Sequence, residues 1–199
     1  MNKAVLISIR PKWVEKIASG EKTIEVRKTR PKLDTPFKCY IYCSAGGDKL
    51  WIRDAAWRER WMGGPISFLV NAKKCGGMNI GNGKVIGEFT CDRIDRLAPA
   101  DEPYGIYDIG DDYVLQTCLE NGALWDYGHG TPLYGWHISD LRIYDQPREL
   151  TAFRRACKNS WYCESCAMYW ENNGTCGNES LQIRRPPQSW CYVEETKDE

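Results

Sequence analysis

SIRPKWVEKIASGEKTIEVR, residues 8–27, is the stretch whose reading decides the fold. The run AVLISI at 4–9 leads into it. That run is short, rich in β-branched residues and stopped by Arg10-Pro11, as a buried strand is. Pro11 is tolerated as a first helical residue, and Trp13, Val14 and Ile17 recur at the helical interval, so 11–19 is predicted helical. Gly20 is a natural stop. From Lys22 to Arg27 the pattern alternates, with Thr23, Glu25 and Arg27 on one face and Ile24 and Val26 on the other. That predicts a strand with a polar face.

Working outward, FKCYIYC at 37–43 predicts another strand. Residues 45–83 are Gly-rich, with Gly turns at 46–47, 63–64, 76–77 and 81–83 and a helical piece, DAAWRERW, at 54–61. They read as an insertion between core strands. KVIGEFTC at 84–91 resumes the sheet, 111–120 is predicted helical and closed by Asn121-Gly122, and 136–145 is strand-like, ended by Pro147. SWCYV at 189–193 reads as the last strand.

The chain of 199 residues is 42% hydrophobic and 27% charged, which is ordinary for a globular protein. It suits one domain, or one domain with an appendage. Net charge is zero, so composition alone does not point to nucleic acid, and such a function must come from local charge. Local charge is uneven. Residues 1–32 hold nine Lys and Arg against three Glu, and 101–126 hold seven acids with no Lys or Arg. AVLISI is too short for a secretory apolar segment, and no apolar run nears the ~20 residues of a membrane span. A cytoplasmic location is expected.

Ten cysteines without a secretion signal read as thiols or metal ligands. Cys157, Cys163, Cys166 and Cys176 are spaced C-x5-C-x2-C-x9-C. The Cys163–Cys166 knuckle can place two thiolates on one ion, with Cys157 and Cys176 at loop-compatible distances. Four thiolates suit tetrahedral Zn2+. Residues 151–185 hold little aliphatic content, so a structural zinc lobe is expected there. Free thiols and an iron–sulfur or redox site are the alternatives, and Cys191 is an alternative fourth ligand. A closed four-thiolate site leaves no position for substrate.

Gly20, Lys22, Glu25 and Arg27 admit two readings from residue chemistry. Lys22 and Arg27 can present positive charge to a phosphate or a base edge, with Glu25 pairing Arg27 or accepting from a base amino group. Alternatively the three are a structural ion-pair set. Arg10 and Lys12 extend the positive surface. Trp13, Tyr134, Trp136 and His137 are candidates to stack on a base, and a helix-face Trp also packs readily in a core.

The motif Gly20-Glu21-Lys22-Thr23-Ile24-Glu25-Val26-Arg27, preceded by SIRPKW, resembles the entry motif of the ASCH family. Further matches are YIYCS (40–44), KVIGEFTC (84–91), YGWHISDL (134–141) and PPQSWCYVEE (186–195), in the manner of its bacterial and phage branch. The resemblance implies an α+β fold: a PUA-like mixed β-barrel over 1–150 plus 186–195, with short flanking helices, a cleft beside the motif, and 151–185 as a Cys-rich zinc-binding insertion.

What it implies about activity is divided. Some members are similar to amidohydrolases acting on N4-acetylated cytidine, with a Lys, a Thr nucleophile and an acid. Glu25 stands where that Thr would be, and a carboxylate lacks the hydroxyl for an acyl-enzyme. Lys22 remains, Thr23 would serve only if turned inward, and Asp111 or Asp112 would be the acid. Other members resemble ribonucleases, for which Lys22, a Tyr and Arg27 would stabilise a transferring phosphate. The favoured expectation is a non-catalytic reader of RNA, single-stranded nucleic acid or a nucleoside, holding one splayed nucleotide, modified or unmodified. A protein-interaction module is the third class, since nine Trp and eleven Tyr leave room for an aromatic interface.

Overall fold

The computed structural model describes residues 3–53, 67–70, 78–100, 105–157, 165–173 and 176–196. The helical piece expected at 54–61 and Cys163 lie outside the described residues.

The apolar run forms β1, Lys3–Ile9, and its period of two builds two cores at once. Val5, Ile7 and Ile9 face one cluster; Ala4 and Leu6 face another. Such burial on both faces explains why the run is almost continuously apolar. β1 pairs in parallel with β3, Phe37–Cys43, and antiparallel with β9, Trp190–Glu194. β3 alternates likewise, with Cys39, Ile41 and Cys43 on the first face and Tyr40 and Tyr42 on the second.

The remaining strands are β2 at Ile24–Arg27, β4 at Lys49–Arg53, β5 at Ser67–Val70, β6 at Met78–Ile80, β7 at Val85–Leu97 and β8 at Leu133–Arg148. The main sheet has six strands in the order β2-β8-β7-β3-β1-β9. β4, β5 and β6 form a three-stranded sheet inside the Gly-rich 45–83 segment, and its Leu50 and Ile52 join the first core. Helix α1, Pro11–Ala18, lays Val14 and Ile17 on that core.

The second core reaches into 151–185: Phe153 and Ile183 are buried there against Leu6, Tyr40 and Val193. Arg155 bridges to Val193, and Arg154 to Gln182. The two flanks of the Cys-rich segment therefore pack on the sheet. A third cluster holds Val26, Leu97, Tyr107, Leu124 and Leu133. Helices α2, Asp111–Thr117, and α3, Asn121–Gly128, cover it beside β2. Asn121 thus opens a second helix as well as following the first.

The expected barrel does not close. Among the described residues β2 and β9 are the two edges of the sheet, with no ladder between them. Side chains bridge the seam instead. Arg27 Nη2 donates to the Ser8 carbonyl at 2.6 Å, Trp190 Nε1 to Thr29 Oγ1 at 3.0 Å, and the Lys32 N–H to Tyr192 Oη at 2.7 Å. β2 is only four residues long, so the chain leaves the sheet before a ladder could form. The fold is an open, curled α+β sheet whose seam is held by polar side chains.

Candidate functional site

A cleft of about 550 Å³ opens at this seam. Volumes of that size suit a small organic ligand. Its working surface comes from Arg10, Trp13, Lys22, Glu25, Arg27 and Tyr127. Gly20 makes the arrangement possible. Its φ of +80° lies in the left-handed region, while a Cβ there would meet nothing within 4 Å. Backbone conformation, not space, requires glycine at the end of α1.

Beyond that turn Lys22 dives inward and is only 2% exposed. Its Nζ donates to the Thr117 carbonyl at 2.6 Å and stands 3.5 Å from Glu25 Oε2. It also lies 5.4 Å from the Trp13 ring centroid. Burial pulls the Lys22 pKa below the usual lysine value, against the opposing attraction of Glu25. Thr117 ends α2, so a cation there also meets the negative end of that short helix.

Glu25 spends both oxygens on cations: Oε2 faces Lys22, and Oε1 lies 2.9 Å from Arg27 Nη2. Arg27 Nη1 reaches Ser189 Oγ at 3.4 Å, a weak contact, and its Nε is buried with no hydrogen-bond partner among the described residues. With two cations to one carboxylate the floor is net positive when all three are ionised. Arg10 adds charge at the rim, and among the described residues that line the cleft Glu25 is the only carboxylate.

The aromatic walls are Trp13 on α1 and Tyr127 on α3. Lys12 is exposed, with Nζ 4.9 Å from the Trp13 centroid; Lys28 Nζ lies 5.0 Å from that of Tyr127. Burial raises the Tyr127 hydroxyl pKa. Sequence reasoning missed Tyr127. The acidic composition of 101–126 concealed that the next turn of chain carries a wall of a positive cleft.

Other expected residues lie elsewhere. Trp136 is 0% exposed, packed between the rings of Phe37 and Trp190, so no face remains for a base. His137 Nε2 lies 2.6 Å from Asp95 Oδ2, with Arg93 on the same nitrogen and Tyr113 edge-on, away from the cleft lining. Tyr134 pairs across from Arg27 in register but packs on the first core. Thr23 precedes β2 and is exposed, with its N–H donating to the Gln116 carbonyl, so it does not turn inward. Asp111 and Asp112 are exposed on the first turn of α2, outside the lining.

Cys157, Cys166 and Cys176 form no disulfide, and among the described residues no three His, Cys, Asp or Glu are gathered to hold a metal. Cys191 packs against the second core, and burial raises its pKa, which disfavours the thiolate a metal needs. Among the described residues no helix is long and apolar enough to cross a membrane.

No family model and no curated protein matches this sequence. Among solved structures, the chain is similar to ASCH from Zymomonas mobilis at 16% identity and a TM-score of 0.48, over 96% of this chain and 88% of that one. It is also similar to a point mutant of the Zymomonas mobilis protein at 16% identity and a TM-score of 0.44, over 98% of this chain and 92% of that one.

Proposed function

We propose that this chain is an ASCH-type module that binds one nucleotide, splayed from RNA or another single strand, in the cleft between Trp13 and Tyr127. One observation carries the reading: Lys22, Glu25 and Arg27 are a nearly buried charged triad directly beneath an open cleft. Taking such charges out of water costs several kcal/mol per ion, and a well-packed apolar floor would serve stability as well or better. A floor of this kind has a rationale if a polar ligand completes it. Arg27 holds donor capacity not fully used among the described residues, and the two aromatic walls supply sequence-tolerant stacking of about 1–3 kcal/mol per base.

Binding is favoured over hydrolysis. Among the described residues the partners of Lys22 Nζ are a backbone carbonyl, a carboxylate and an indole ring, and none of them is a hydroxyl that could be activated as a nucleophile. For zinc, our proposal remains the set Cys157, Cys163, Cys166 and Cys176, acting structurally and apart from the cleft.

The test uses residues that can be removed without opening the core. Arg10→Gln and Tyr127→Ala are each expected to lower affinity for a panel of nucleoside 5′-monophosphates at least fivefold, with an unchanged melting temperature. Unaltered affinity in both variants would refute the reading.

A further inference from the structure

The cleft has a charged continuation. After β2 the chain carries Lys28, Arg30 and Lys32, all exposed, with Pro31 buried between the last two. A cationic run is most often just a solvated surface, and this one differs in two respects. It is pinned: Arg27 contacts Ser8 and Ser189, Thr29 Oγ1 accepts from Trp190, and the Lys32 N–H donates to Tyr192. It is also continuous with the cleft, because Lys28 sits over the ring of Tyr127, a cleft wall. Among the described residues none of the three side chains forms an ion pair, and the nearest acid along the chain is the exposed Asp34.

Cations at alternate positions of a fixed segment lie roughly 6–7 Å apart if that segment is extended. They then meet a row of like anions without first being ordered, which lowers the entropic cost of binding. A mononucleotide filling the cleft would leave Arg30 and Lys32 unused. We infer that Lys28, Arg30 and Lys32 form a phosphate track leading from the cleft, so that the ligand is a single-stranded oligonucleotide whose neighbouring nucleotides bind through their backbone. This rests on the nucleotide reading of the cleft and adds to it the length and backbone of the ligand.

The track contributes charge, not base readout, so its signature is length and salt dependence with little sequence preference. The experiment compares nucleoside 5′-monophosphates with trimers and hexamers of each RNA base, at several salt concentrations. Parent protein is set against the double variant Arg30→Gln, Lys32→Gln, which leaves Lys28 over Tyr127 in place, with melting curves to confirm the fold. The parent is expected to bind hexamer at least tenfold more tightly than monophosphate. The variant should lose most of that gain, keep its monophosphate affinity, and show a log–log salt slope shallower by about 1.4, as two lost phosphate contacts on a single strand require. If monophosphate binds and hexamer binds no better, the track is overturned and the cleft stands. If neither binds, both are overturned. A hexamer bound with monophosphate silent, and lost in the variant, supports the track against the cleft. Equal affinity for a heparin fragment of matched charge would mark an unspecific anion patch and overturn the track.

Discussion

The ammonium of Lys22 donates to the backbone carbonyl of Thr117, 2.6 Å away and 95 positions along the chain. This bond ties the cleft floor to the end of α2. With the Thr23 N–H donating to the Gln116 carbonyl, it holds the motif turn against the helical cover.

Removing that tie should cost stability before it costs chemistry. Lys22→Met keeps the aliphatic length but frees the Thr117 carbonyl and one oxygen of Glu25. The expected loss is about 3 kcal/mol, the scale for breaking a buried pair, read as a lowered midpoint in urea. A variant as stable as the parent would show that the buried amine contributes nothing to the fold.

Gly135 lies under Tyr113. A Cβ there would stand 1.8 Å from the Tyr113 hydroxyl and 2.9 Å from its ring carbon Cζ. Gly135→Ala is therefore expected to cost roughly 1–3 kcal/mol as an overpacked contact. Adding Tyr113→Phe should restore part of that loss, since it removes the closer atom. Absence of any rescue would mean the strain lies in the backbone of β8.

Alkaline pH should destabilise the protein. Burial pushes the thiols of Cys43 and Cys91 up to about 12, and raises the Cys39 thiol and the phenol hydroxyls of Tyr113 and Tyr144 as well. For these groups the folded chain holds protons that the unfolded chain releases. Their contribution is complete below the unfolded thiol value and is lost as pH climbs toward about 12. Lys22 acts in the opposite sense, because its lowered value relieves a penalty as pH rises, but it is one group against several. Urea midpoints under reducing conditions should fall steadily from pH 9 upward. Cys43→Ala with Cys91→Ala should flatten that decline, and an unchanged slope would remove these thiols as its cause.

The zinc proposal is checked by elemental analysis of purified protein. About one equivalent is expected, lowered by Cys163→Ser or Cys166→Ser, with chelation making 157–176 more open to protease. Fully folded protein that contains no zinc and resists protease equally would count against it.

Several elements were legible because local pattern and tertiary need agreed. Pro11 and the Val14–Ile17 stripe predict α1, and the structure starts it at Pro11 and buries both residues. FKCYIYC predicts β3 with its bounds intact. The site was only partly legible. Lys22, Glu25 and Arg27 were picked out by the motif and do line the cleft together with Arg10. The ring of Trp136 suggests stacking on a base, but ring chemistry is the same in a core and in a cleft, and only its packing between Phe37 and Trp190 separates the two. Tyr127 carried no signal of its own, since its place in the wall depends on α3 folding back over β2.

Order along the chain set the secondary structure of the motif, the charge imbalance between 1–32 and 101–126 and the identity of the buried triad, because each depends on neighbours within a few residues. Whether the sheet closed, which edge carried the opening and which aromatic rings flanked it were decided only in three dimensions. Those features depend on β2 and β9, more than 160 positions apart, meeting without a ladder. No local pattern encodes how such distant edges are bridged.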